Sequence, residues 1–122
     1  MHKDGTFLKP LVIHDGDWLD ECPHCGGNNL HHADVSIFNP DGYGNEWNEK
    51  TQRNDPKAYT RVTHVMSDNT ITSARVPAEA TNNPSRDRNG LLVEFWCEGC
   101  EEKPMLAIVQ HKGVTFIGWR QD

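Results

Sequence analysis

The amino-acid sequence predicts an all-β fold, and three observations carry that prediction. No window of the 122 residues repeats its apolar groups with the 3.6-residue period of an amphipathic helix. Apolar residues instead alternate with polar ones over short runs, each closed by Asn, Asp, Gly or Pro. The four cysteines form two pairs, Cys22-Pro23-His24-Cys25 and Cys97-Glu98-Gly99-Cys100. Two such turns of backbone can grip one tetrahedral Zn²⁺ through four thiolates. The expectation is one domain, residues 1–122, in which a metal staples β-hairpins around a lean core.

The elements follow in order. Leu11-Val12-Ile13 is a short apolar run closed by Asp15-Gly16-Asp17, and Trp18-Leu19 leads into the first cysteine pair. Gly26 and Gly27 follow, where a tight turn calls for positive φ. Residues 30–38 read as a strand, with Ala33, Val35 and Ile37 on one face and His32, Asp34 and Ser36 on the other. Asn39-Pro40-Asp41-Gly42 has the chemistry of a turn that ends it. Residues 39–57 lack an apolar period and read as a loop whose large apolar groups are Tyr43 and Trp47.

Residues 59–66 and 70–76 read as a hairpin around Ser67-Asp68-Asn69. The hairpin is expected to dock on the rest of the sheet or to form a homodimer contact, because an isolated two-stranded hairpin is marginal in water. Residues 77–90 are irregular. Residues 91–96 form the strand that delivers the second cysteine pair. Residues 105–110 and 114–119 close the chain as a C-terminal hairpin around His111-Lys112-Gly113. The cysteine pairs are 71 residues apart, and the insertion, about residues 39–90, is where function is expected.

Charge and hydropathy exclude several classes. Hydrophobic residues make up 35% of the chain, and no apolar run approaches the length of a membrane span. The N-terminus lacks the apolar stretch of a secretory leader. Cysteines in CxxC pairs without a leader point to the cytoplasm and to metal rather than disulfides. The net charge of −6 falls to about −8 with Zn²⁺ on four thiolates. An acidic chain is repelled by bulk nucleic-acid phosphate. Residues 51–90 run against that balance, with six bases and four acids.

Other chemistries have weaker support. A redox reading of Cys22 and Cys25 would want a helix after the motif and leaves the second pair unexplained. His31 and His32 are adjacent on a strand and point to opposite faces. His24 shapes its turn, and His64 and His111 read as polar hairpin positions. Asp15, Asp17, Asp20 and Glu21 form a solvated acidic cluster. No nucleophile elbow, P-loop or H-E-x-x-H is present. A metal-dependent enzyme therefore ranks last.

The candidate contact set is Tyr43, Trp47, Arg53, Tyr59, Arg61, Arg75, Arg86 and Arg88. Arginine mixed with aromatics suits a protein interface, or phosphate contact with base stacking. Trp18, Trp96 and Trp119 are expected in the core, and Trp47 is the exposed one.

The two motifs with their neighbours, Cys22-Pro23-His24-Cys25-Gly26 and Trp96-Cys97-Glu98-Gly99-Cys100, resemble zinc-ribbon knuckles. The resemblance covers under half the chain and implies Cys22, Cys25, Cys97 and Cys100 as ligands. A wider resemblance rests on Leu30-His31-His32, Asn83-Pro84-Ser85-Arg86, Gly90-Leu91, Phe95-Trp96-Cys97 and Gln110-His111-Lys112-Gly113-Val114-Thr115. These look like a family of small uncharacterised bacteriophage and prophage proteins. That implies a phage accessory protein acting in the bacterial cytoplasm. The reading of the whole chain is a non-enzymatic zinc-binding protein, a monomer or homodimer, that binds a host protein as adaptor or inhibitor. The alternative is a nucleic-acid-binding ribbon using the arginine-bearing insertion.

Overall fold

Period-two alternation extends further along this chain than its apolar groups reveal. The computed structural model describes residues 8–14, 16, 18–86 and 88–120. Six strands are formed: β1 (Leu30–Asn48), β2 (Arg53–Val65), β3 (Ile71–Pro77), β4 (Gly90–Cys97), β5 (Met105–His111) and β6 (Val114–Trp119). They pair antiparallel in one sheet of order β3-β2-β1-β4-β5-β6. Among the described residues the helical content is one 3-10 turn, Ala78–Ala80.

β1 is the spine. It pairs with β2 on one side and β4 on the other, joining two three-stranded meanders. The predicted hairpin (β2, β3) therefore continues the sheet edge to edge through β1 and does not dock by a face. The C-terminal hairpin forms as expected, with His111 paired to Val114 at its end.

The register places the core on one face. Phe38 lies opposite Val62 and Gly90, Leu92 opposite Ala107, and Val109 opposite Phe116. Phe38, Leu92, Ala107 and Val109 are 0–1% exposed. Leu8, Val76, Met105 and Phe116 pack around them. Val35 and Ile37, one step out of phase with Phe38, point to the other face.

The irregular stretch before β4 roofs the core, and it does so with satisfied polar groups. Asn83 Nδ2 donates to the carbonyls of Arg86 and Arg88, and its Oδ1 accepts from the Ser85 amide. Ser85 Oγ accepts from the Gln110 amide at 3.0 Å. Buried polar groups are tolerated when paired in this way. The roof lies so close to Gly90 that a Cβ there would stand 2.2 Å from Asn83 Oδ1.

Three expectations are corrected. First, residues 39–57 are not a loop: β1 continues to Asn48 and β2 begins at Arg53. The reason is that a ribbon with no core to cover needs no apolar face, so its alternation is invisible to hydropathy. Second, Asn39-Pro40-Asp41-Gly42 does not end the strand. It holds a bulge between Pro40 and Tyr43, and Gly42 takes a φ of 73° there. Bulges use the same residues as turns. Third, Trp18 is 60% and Trp96 44% exposed, whereas Trp119 is 2% exposed. Trp96 alternates away from the buried Cys97 and stacks on His31, with ring centroids 4.1 Å apart. The expected turn at Asp15-Gly16-Asp17 falls partly outside the described residues.

Candidate metal centre

Each cysteine pair sits on a hairpin end. Around the first, Glu21 bridges to Asn28. The Cys22 amide donates to the Gly27 carbonyl and the Gly26 amide to the Cys22 carbonyl, both at 2.9 Å. Gly26 takes the positive φ, 74°. Gly27 instead donates its amide to Cys25 Sγ at 3.4 Å. Cys97 ends β4, paired with Leu30 of β1, and the Gly99 amide donates to Cys97 Sγ at 3.3 Å. The two knuckles thus share one device: an amide two residues on from a cysteine points at its sulfur.

The four sulfurs converge, all within 4.8 Å of one another. Cys22 Sγ is 3.8 Å from Cys100 Sγ, and Cys25 Sγ is 3.6 Å from Cys97 Sγ. A tetrahedron with metal–sulfur bonds of about 2.3 Å has edges of about 3.8 Å. The cysteines are free, and their spacing is far beyond a disulfide bond of about 2.05 Å. The residues therefore fit a four-thiolate metal site. Among the described residues, these cysteines are the one group of His, Cys, Asp or Glu that closes to ligand distances.

Ionisation is shared unevenly across the cluster. Burial resists ionisation of Cys97, but the Gly99 amide and the three neighbouring thiols outweigh it and bring its pKa down to about 7. At Cys100 the Glu102 amide favours the thiolate, yet burial and the three neighbouring sulfurs push it up to about 12. Such a cluster holds a proton against accumulated negative charge, and a bound cation removes that conflict.

The histidines lie elsewhere. His31 Nε2 contacts Glu98 Oε2 at 2.6 Å. His64 Nδ1 meets Ser36 Oγ at 2.9 Å, and His111 Nδ1 meets Arg88 Nη1 at 2.8 Å. His24 is exposed at the knuckle tip. Of the predicted acidic cluster, Asp20 and Glu21 flank His14 at 3.3 and 3.5 Å; Asp15 and Asp17 lie outside the described residues.

The contact candidates are dispersed. β4 pairs with β1 only as far as Phe38, and β3 with β2 only as far as Tyr59. Beyond them residues 43–48 and 53–58 form a two-stranded arm, about 20 Å long at the usual rise. Tyr43, Asn45 and Trp47 alternate onto one side of it. Tyr43 is 77% and Trp47 50% exposed. Arg53 closes the tip opposite Asn48. Asn48 holds the turn, accepting the Lys50 and Thr51 amides on Oδ1 and donating to Asp55.

At the base of the arm, Tyr59 lies against Gly44, where a Cβ would come within 2.7 Å of its ring. The Arg75 guanidinium sits 3.9 Å from the Tyr59 ring centroid. Arg61 and Arg75 are cross-strand partners, and both reach Asp41 Oδ2, at 3.2 and 3.5 Å. Arg86 and Arg88 belong to the roof over the opposite face. The arginines therefore do not converge on one basic surface.

Sequence reasoning missed the Asp41 pairing and the Lys57 hub. Lys57 pairs with Glu46 and, at 3.1 Å, with Glu79. Glu46 and then Glu79 hold its pKa above the usual lysine value. Charges of alternating sign through the insertion were the available signal.

Comparison with protein-family models, curated proteins and solved structures finds no match to this chain.

Proposed function

We propose that this is a zinc-stapled, non-enzymatic binding protein, of bacteriophage origin and acting in the host cytoplasm, whose arm recognises a host protein. The observation that carries the reading is the placement of Tyr43 and Trp47. Two large aromatic groups share one side of an otherwise polar arm and have no core to join. Aromatic side chains of this kind are the usual anchors of protein interfaces. Zinc is the metal of the proposal because an all-cysteine tetrahedral site is its structural habit. Phage origin rests on the resemblance of the motifs quoted above.

The test pairs two measurements on the zinc-loaded protein. Capture from bacterial lysate is compared between wild type and the double variant Tyr43→Ala, Trp47→Ala. Loss of a specific captured protein in the variant supports the proposal, and unchanged capture removes recognition from the arm. A mobility shift of DNA or RNA at low salt that disappears on Arg53→Ala would favour the nucleic-acid alternative instead.

A further inference from the structure

The face of the sheet opposite the core is also apolar, and its side chains are aligned in rows. Across the strands Val65 lies opposite Val35, Val35 opposite Val93, and Val93 opposite Leu106; Ile71 and Trp119 end this row. In the next row Ile37 lies opposite Leu91, Leu91 opposite Ile108, and Ile108 opposite Ile117, while on β2 and β3 the row ends in Thr63 and Ser73. Trp119 is buried, but the others keep part of their surface in solvent, with Ile117 52% and Ile71 66% exposed. The third row turns polar, with Arg61, Arg75 and Asn39 on one side of the sheet and Gln110 and Thr115 on the other.

An antiparallel sheet that keeps one face wet carries polar residues on that face. β4 and β5 do not follow that pattern. Leu91-Leu92-Val93 and Leu106-Ala107-Ile108-Val109 are continuous apolar runs, the signature of strands covered on both sides. We infer that this bare face is a dimer interface, covered by the same face of a second copy of the chain.

Two observations select that occupant. The first is area. One apolar row across six strands and one across four, with strands about 4.8 Å apart and rows about 7 Å deep, give roughly 340 Å² of projected sheet. Side-chain relief and the polar row beside it raise this toward the roughly 800 Å² of accessible surface per partner in a specific interface. The second is charge. The chain carries −6 overall, yet neither apolar row contains a charged residue, and Arg61 and Arg75 of the row beside them are both paired with Asp41, so two copies can meet there without burying unpaired like charges. A second sheet of equal width packs on it face to face at about 10 Å, as sheets do in a sandwich.

This inference is independent of the arm. Sedimentation of the zinc-loaded full chain should give twice the 13.8 kDa chain mass. Ile108→Glu should return it to the mass of one chain, with metal content and β-sheet circular dichroism retained. Methyl NOEs between labelled and unlabelled wild-type copies provide a second reading that needs no variant. They should connect Leu91, Ile108 and Ile117 of one copy to the same band of the other. A wild-type monomer at NMR concentration overturns the inference. So does a dimer that lacks those NOEs or survives Ile108→Glu, since either would place association at a strand edge or the arm.

Discussion

At the scale of single residues, the four-cysteine cluster was the most legible feature of this chain and the roof the least. A CxxC pair declares itself because a tetrahedral ion needs two donors on one tight turn. Cys97→Ser should therefore abolish stoichiometric zinc binding, since ligation free energy is folding free energy at such a site; metal analysis and circular dichroism of the purified variant check this. In the metal-free chain, the Cys97 and Cys100 contributions to stability have opposite pH dependence on the two sides of pH 9. Cys97, whose folded pKa is depressed to about 7 from 9.0, adds stability as pH rises from 7 to 9. Cys100, raised to about 12 from 9.0, contributes stability that is full below pH 9 and is lost as pH rises toward 12. Thermal melts in chelator across that range test the sign. Asn83 and Ser85, by contrast, gave no sequence signal, because burial of a polar side chain depends on partners that only the fold assembles. Gly90→Ala would force its Cβ into Asn83 Oδ1 and should cost about 1–3 kcal/mol by overpacking, as read by urea unfolding.

At the scale of elements, all six strands were readable wholly or in their covered part. β3, β4, β5 and β6 lie within a residue or two of the positions expected from alternation. β1 and β2 were found only where they cross the sheet, and their arm portions were not. The failure at residues 39–57 has one cause: hydropathy reports which side of a strand is buried, and the arm has no buried side. Its order comes from pairings invisible to a one-dimensional pattern, Asn48 with Asp55 and Lys57 with Glu46. Because the arm's two strands pair only with each other, with the Lys57–Glu79 ion pair tying them to the body, the arm can be excised. Joining Tyr43 directly to Ala58 through an Asn-Gly turn, a favoured two-residue hairpin connection, should leave zinc stoichiometry unchanged and thermal stability nearly so. If the arm recognises a host protein as proposed, the same variant should lose its capture from lysate.

At the scale of the whole molecule, the cysteine cluster and the apolar core are separate in space. The four cysteines tie residues 22–25 to the end of β4, while the core lies on Phe38, Leu92 and Val109 in mid-sheet. Hydrogen exchange after chelation should therefore rise first in residues 18–29 and 98–104, and only later in the central β1–β4 pairing. Uniform loss of protection would show instead that core and metal fold as one unit. Phe38→Ala should do the converse. It should lower global stability by about 3–5 kcal/mol in denaturant titration and leave the thiol cluster able to take metal in the fraction that remains folded.

The bulge in β1 has a consequence for valency. Phe38 lies opposite Val62 and Tyr43 opposite Ala58, and Val62, Thr60 and Ala58 alternate onto the same side of β2. The extra residue between Pro40 and Tyr43 thus brings odd-numbered Tyr43 into phase with even-numbered Phe38. At its base the arm shows its aromatic side in the same direction as the roofed core, away from the bare face. Two copies joined through their bare faces would turn their aromatic anchors outward in opposite directions. Such an assembly could not close both arms on one compact target. It is shaped to bridge two target molecules, or two sites of one oligomer, where the second attachment gains from effective concentration.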